Sequence, residues 1–246
     1  MRQSINVVLL FIWMGLLTLF RAQVFNKRVN VSNLSLKSLL ASRQISIQKE
    51  NKMDVVYKGP RYNGPQPNEM NDRQKEIHDY ILRSRPTTGL SGPFGPWLAI
   101  PEIAEPASQL GRACRYDTSL SSRESELVIL LTGAKMRSRT EFAIHTGEAL
   151  KAGIDIDVID AIPRDDDFSV EAVREMLLPM LDNDREIAIA SFAAELLQTS
   201  TVSDETYQKT KAAVDNKDSV LVEITSIVGY YVYVSYTLNV FQIPAK

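Results

Sequence analysis

Residues 121–145 read SSRESELVILLTGAKMRSRTEFAIH, and the spacing within this stretch decides the fold class. Ser121 stands three residues before Glu124, the pattern of a capping box, in which each side chain satisfies a backbone N–H at a helix start. Leu127, Leu130, Leu131 and Ala134 follow at helical spacing, and Val128 and Ile129 widen the apolar arc until little polar face remains. A helix apolar nearly all round is a buried one. Ser138 and Glu141 repeat the capping-box spacing and open a second helix, TEFAIHTGEALKA, which Gly153 stops.

Outward from this pair the helical signals continue. Upstream, residues 57–68 form an irregular arm. Asn71 caps the helix DRQKEIHDYILRSR, which Pro86 ends. Thr87–Pro96 reads as a Gly/Pro loop, and Pro101 opens a helix running toward Arg115, at the position where a missing N–H costs nothing. Downstream, Asp155 caps a short helix ending at Pro163, and Arg164–Phe168 is an acidic loop. Ser169 caps VEAVREMLLPMLDN, whose tail Pro179 limits, while Asp184 and Ser203 start two further helices. The segment Ser219–Phe241 is β-branched and aromatic, which favours strand on propensity alone. Its residues 224–241 also lack charge, a weak signature of a membrane span. Because about half of that stretch is Tyr, Ser, Thr and Asn, it is read as a buried or subunit-interface helix.

Composition narrows the chemistry. The 246 residues are 44% apolar and 24% charged, which is globular, and a net charge of −2 supplies no field to recruit nucleic acid. Cys114 is the single cysteine and His78 and His145 the only histidines, too few for a disulfide, a CxxC redox pair or an all-protein zinc site. Phosphate-cradling glycine loops are missing from the sequence, so neither metal nor nucleotide cofactor is expected.

The head differs from the body. Residues 1–52 are basic with Glu50 as their only acid, and Ile5–Phe20 is an almost unbroken apolar run. The pattern suits a signal peptide followed by a transit-like segment, hence an organelle or the secretory pathway, although Phe20 stands where a cleavage site wants a small residue. A signal anchor, which would touch membrane only through this segment if uncleaved, is the competing reading. Translation from Met53, with a cytoplasmic product, is the other. The fold is therefore assigned to residues 53–246.

Within that body the motif Glu126 to Glu141-Phe142-Ala143-Ile144-His145 to Ala152-Gly153 resembles the carboxymuconolactone decarboxylase family, which includes the alkylhydroperoxidase-D-like proteins. Gly92-Pro93-Phe94, Trp97-Leu98, Pro101-Glu102, Leu110-Gly111 and Arg115 look like its upstream half, and Val222-Glu223, Gly229-Tyr230-Tyr231 and Leu238-Asn239 like its closing helix. The resemblance implies an all-α fold whose helices associate into a homo-oligomer, a trimer or hexamer. It also implies an active site between the helix bearing Glu126 and that bearing His145. In the peroxidase branch a CxxC precedes the histidine; here those positions are Ser138 and Glu141, so a dithiol cycle lacks both thiols.

What remains is the decarboxylase-like reading, a lyase or isomerase on a small organic acid or lactone. His145 would serve as acid–base and Glu126 as its partner, with Glu141 on the same helical face. Arg115 is the candidate for a substrate carboxylate, with Trp97 and Phe94 lining the substrate site. Peroxidase-type antioxidant activity through Cys114 with an outside thiol, and a non-catalytic ligand-binding module, are the alternatives. Each residue also has an ordinary reading: His145 a core residue, Glu141 and Ser138 caps, Glu126 a first-turn complement to the helix dipole, Arg115 one half of a surface pair. In the same way Glu223 would meet a base or a neighbouring subunit, and His78 would be solvated.

Overall fold

The structure is a computed structural model that describes residues 59–84 and 90–245, and every regular element among them is a helix. Residues 1–52, read above as a targeting segment, lie outside the described residues. In chain order the helices are α1 (Asp72–Ser84), α2 (Phe94–Trp97), α3 (Pro101–Tyr116), α4 (Ser122–Lys135), α5 (Arg139–Lys151) and α6 (Ile156–Asp160). The chain continues through α7 (Val170–Ala172), α8 (Asp184–Thr199), α9 (Asp204–Ala213) and α10 (Asp218–Phe241).

The axis of the assembly is α4. Its capping box forms as the sequence requires: the Ser121 hydroxyl accepts from the Glu124 N–H at 3.2 Å, and the Glu124 carboxylate from the Ser121 N–H at 2.8 Å. Leu127 to Leu131 are five consecutive residues no more than 1% exposed, which places neighbours on every side of the helix. Those neighbours are α5, α8 and α10. Ion pairs tie the starts of α4 and α8 together: Arg123 reaches Glu186 at 2.9 Å and Asp182 at 2.7 Å, and Arg185 reaches Glu124 at 2.5 Å.

The turn from α4 into α5 is tight. Arg137 takes a left-handed φ of 53°, and the Ser138 N–H returns to the Gly133 carbonyl at 2.9 Å. Gly133 lets the two helices meet closely, since a Cβ there would lie 3.3 Å from the Phe142 nitrogen.

Helix α10 overrides its strand propensity, as buried sequences do when tertiary packing rewards a helix. It is long and apolar enough to cross a membrane by composition alone, yet 56% of that window is buried inside the bundle. Among the described residues Glu223 meets Ser119 rather than a base. The carboxylate accepts from the Ser119 N–H and hydroxyl at 3.1 and 2.7 Å. The far end is anchored on the α4–α5 turn: Asn239 donates to the Met136 carbonyl at 2.8 Å, and Thr140 to the Ile243 carbonyl at 2.5 Å.

Three local expectations change. Phe94–Trp97 closes a helical turn inside the segment read as a loop. Asp155 occupies the N-cap of α6 without a side-chain hydrogen bond. The helix expected after Ser169 does keep its cap, the hydroxyl accepting from the Ala172 N–H at 3.0 Å. It then loosens into a π turn over Val173–Leu177 and a 3-10 turn over Leu178–Met180. Pro179 has no N–H for the carbonyl four residues back and its ring would strike it, so a regular α-helix cannot run through.

Helix α3 meets α10 at Gly111, where a Cβ would fall 2.1 Å from the Tyr230 hydroxyl oxygen and 2.4 Å from its ring carbon. Tyr230 is 6% exposed and held between the rings of Trp97 and Tyr231, so it has little room to retreat. Gly111→Ala is expected to cost about 1–3 kcal/mol through overpacking. Urea unfolding checks this, and stability equal to the parent's would show that Tyr230 can move aside.

Candidate active site

His145 lies in the second turn of α5 and is 3% exposed. Its Nδ1 faces a Glu126 carboxylate oxygen at 2.6 Å, and its Nε2 a Glu141 oxygen at 3.1 Å. A ring with a carboxylate on each nitrogen has work for two N–H donors, which only the imidazolium supplies. Burial works against the charged ring. The Glu141 charge, the hydrogen bonds to Glu126 and Glu141 and the Glu126 charge together outweigh it and push His145 up to about 9.

Two of the ordinary readings therefore fail. Glu126 sits in the second turn of α4, too deep to complement the first-turn amides, and at 5% exposure it needs the imidazolium as a partner. The second capping box does not form. Ser138 is the N-cap of α5 but makes no side-chain cap hydrogen bond; its N–H returns to Gly133 instead of meeting Glu141, whose carboxylate, four residues before the histidine, turns along the helix to meet the ring. The same spacing could serve a cap or an ion pair, and a buried cation decides between them.

Two further groups join the cluster. Arg115 reaches Glu148 at 2.9 Å and Glu126 at 3.8 Å. Its fork, expected to receive a substrate carboxylate, is thus committed to carboxylates of the chain itself. Tyr231 on α10 stands edge-on to the His145 ring at 5.1 Å and 87°. Burial first, then the charges of Glu141 and Glu126, push its phenol well above the usual range against the opposing Arg115, so it stays a neutral O–H donor. The sequence marked Tyr231 as part of the closing helix without giving it a role. Glu148, three residues after His145, was also passed over, and its helical spacing was the signal available.

Phe94 and Trp97 stand in a separate aromatic layer. Trp97 donates to Thr237 at 3.0 Å and stacks on Tyr233 at 4.8 Å. Phe94 meets Trp97 edge-on at 5.7 Å, and the layer reaches His145 only through Tyr230 and Tyr231. Cys114 is 3% exposed and burial pushes its thiol up, away from the thiolate form. His78 is half-buried and its ring nitrogen meets Asp79 at 2.9 Å. Among the described residues no group of three or more His, Cys, Asp or Glu could hold a metal ion. A groove of about 650 Å³ between α7, α8 and α9, lined in part by Arg174, Glu195 and Lys209, contains none of the His145 cluster.

No family model and no curated protein matches the sequence. Among solved structures the chain is similar to the debrominase Bmp8, determined as a cysteine-to-alanine variant in complex with 2,3,4-tribromopyrrole. The TM-score is 0.57 at 9% identity, over 77% of this chain and 93% of that one. The likeness concerns the fold, which is all-helical as the sequence implied.

The raised His145 value links stability to pH. An unfolded histidine titrates near about 6.5. A folded-state value of about 9 therefore contributes stability that is complete below the unfolded value and lost as pH rises through the folded one. Urea-unfolding free energy is expected to decline between about pH 6.5 and 9. A His145→Gln protein should lack this component of the decline, and an identical pH profile would place the linkage elsewhere.

Proposed function

We propose that the protein is an acid–base catalyst, a lyase or isomerase acting on a small organic acid or lactone. The observation that carries this is the buried Glu126–His145–Glu141 array, in which a proton-rich imidazolium is held between two carboxylates. Taking such charges out of water costs several kcal/mol each before pairing repays it, and an apolar replacement is often as stable. Strongly perturbed groups of this kind mark reactive sites more often than ordinary cores.

For a decarboxylation the array would act as follows. The bond from the substrate carbon to its carboxylate breaks, CO2 leaves, and the electron pair passes into the conjugated system as a dienolate. Glu141 stands on the Nε2 side of His145, so the proton leaves the imidazolium through that carboxylate and is delivered to the substrate carbon, while Nδ1 keeps its proton and donates it in a hydrogen bond to Glu126. Water then reprotonates the ring, and the balance is one proton taken up for each CO2 released. Tyr231, neutral and beside the ring, is suited to donate a hydrogen bond to the dienolate oxygen. This route differs from the simpler expectation, in which His145 gives its proton to the substrate directly.

The antioxidant alternative has less support, since Cys114 is buried as a thiol and is the chain's only sulfhydryl. Debromination is not carried over from a neighbour that shares 9% identity. Oligomer formation is part of the proposal, and its support is the uncharged exposed side chains on α3 and α10. Ile103, Leu110 and Tyr116 are 41–57% exposed, and Tyr236 and Val240 are 58% and 55% exposed.

The test is ultraviolet-monitored turnover of 4-carboxymuconolactone by the full chain, beside Glu141→Gln and His145→Gln proteins whose circular dichroism matches it. Loss of about 10²–10⁴-fold in both variants is expected for a proton-transfer pair. Unchanged turnover in either variant overturns the assignment of roles, and an inert parent overturns the decarboxylase reading.

A further inference from the structure

We infer that the first turn of α5 and the facing turn of α10 form a subsite for a carboxylate oxygen of a small organic acid, with the hydroxyls of Ser138 and Ser235 as donors. The inference rests on the acid–base reading above and names where its substrate is held.

The two serines are 1% and 0% exposed, and neither hydroxyl has a hydrogen-bond partner. Burying an unpaired hydroxyl is unfavourable, and structures normally avoid it. The default remedy on a helix is to donate to the carbonyl four residues back. Thr225, Ser226 and Thr237 on α10 all do so, at 2.8, 2.7 and 3.0 Å, as does Thr132 on α4 at 2.8 Å. Ser235 does not take the Tyr231 carbonyl available to it, and Ser138 does not cap the helix it begins. Each gives up a local bond.

Their proximity follows from the register of α10 on α5. Tyr231 meets His145 at one point, near the end of α10 Asn239 meets Met136 in the α4–α5 turn, and just beyond that end Ile243 meets Thr140. From Tyr231 beside His145, α10 therefore runs toward the start of α5, where Asn239 meets the turn before it and Ile243, just past the end of α10, meets its first turn, so the two helices run antiparallel. Ser235 lies one turn after Tyr231, and Glu141 one turn before His145. At a rise of about 1.5 Å per residue both stand about 6 Å from the Tyr231–His145 contact, which brings Ser235 level with Glu141. Ser138 heads the same turn from the other side.

The surroundings suit an anion. The N–H groups of Thr140 and Glu141, in the first turn of a 13-residue helix, meet no acceptor among the described residues, and such a turn carries a partial positive charge. Glu126, Glu141 and Glu148 are matched by Arg115, His145 and Lys151, so the cluster does not present net negative charge to an incoming carboxylate. Arg115, the group sequence alone nominated for that carboxylate, is occupied by Glu148 and Glu126. An oxygen held at this turn lies beside Glu141, the carboxylate through which the proton leaves.

The test uses cis,cis-muconate, a small dicarboxylate without a lactone to open, and its uncharged dimethyl ester, each titrated calorimetrically into the full chain and into Ser138→Ala and Ser235→Ala proteins. Expected are binding of muconate but not of the ester, weakening by about tenfold or more in each variant, and melting temperatures of the ligand-free variants equal to or above the parent's. The last readout separates a ligand-binding from a structural role, because alanine removes only an unpaired hydroxyl. Absence of muconate binding to the parent, binding that survives both substitutions, or a melting temperature lowered by either substitution overturns the subsite. Serine-dependent binding in a chain that turns nothing over would leave the subsite and discard the lyase. Turnover with serine-independent binding would do the reverse.

Discussion

Two carboxylates can occupy the interior between α4 and α5 because an imidazolium stands between them. Without it Glu126 and Glu141 would be two like charges buried in a site from which water is largely excluded, with no cation on the line between them. With it, both ring nitrogens are satisfied and the histidine is held charged well above its ordinary titration range. Arg115 extends the arrangement to α3 and Tyr231 extends it to α10, so four helices meet at one charged centre.

The rest of the bundle explains how that centre stays in place. Helix α4 is buried along its whole middle, which leaves Glu126 no route to solvent. The short turn at Arg137 and the absence of a Cβ at Gly133 set α5 close enough for a 2.6 Å contact between the two helices. Ion pairs at the starts of α4 and α8, and side-chain bonds from α10 to the α4–α5 turn, hold the ends. The aromatic layer of Phe94, Trp97, Tyr230 and Tyr233 backs Tyr231 and restricts its ring.

A fold shared at 9% identity with a debrominase leaves the chemistry to be argued from the site, because a fold does not fix a function. What distinguishes this chain is local. Ser138 and Glu141 stand one helical turn apart at the entrance to α5, one with an idle hydroxyl and the other bound to the histidine. With the Glu141 carboxylate on its second nitrogen, His145 belongs to a three-member array rather than to a histidine–glutamate pair.

Helix positions were legible in the sequence because spacing and caps are local properties. Ser121, Ser169 and Ser203 cap where their spacing says they should, and the all-round apolar arc of Leu127–Leu131 is that of a central helix. The Glu126–His145 pairing was also legible, through the family motif rather than through periodicity. Three things were not. Glu141 satisfies a capping pattern and an i, i+4 ion-pair pattern equally well, and only a buried cation four residues away selects the second. Arg115 looked free for a ligand because its partners, Glu148 and Glu126, lie on other helices. Tyr231 and Ser235 came to the site through the register of α10 on α5, a long-range relation that no local pattern encodes. By itself the sequence determined which segments are helical and which residue types are available for chemistry. The tertiary structure decided which of them share a proton, because distance between helices, not along the chain, sets that interaction.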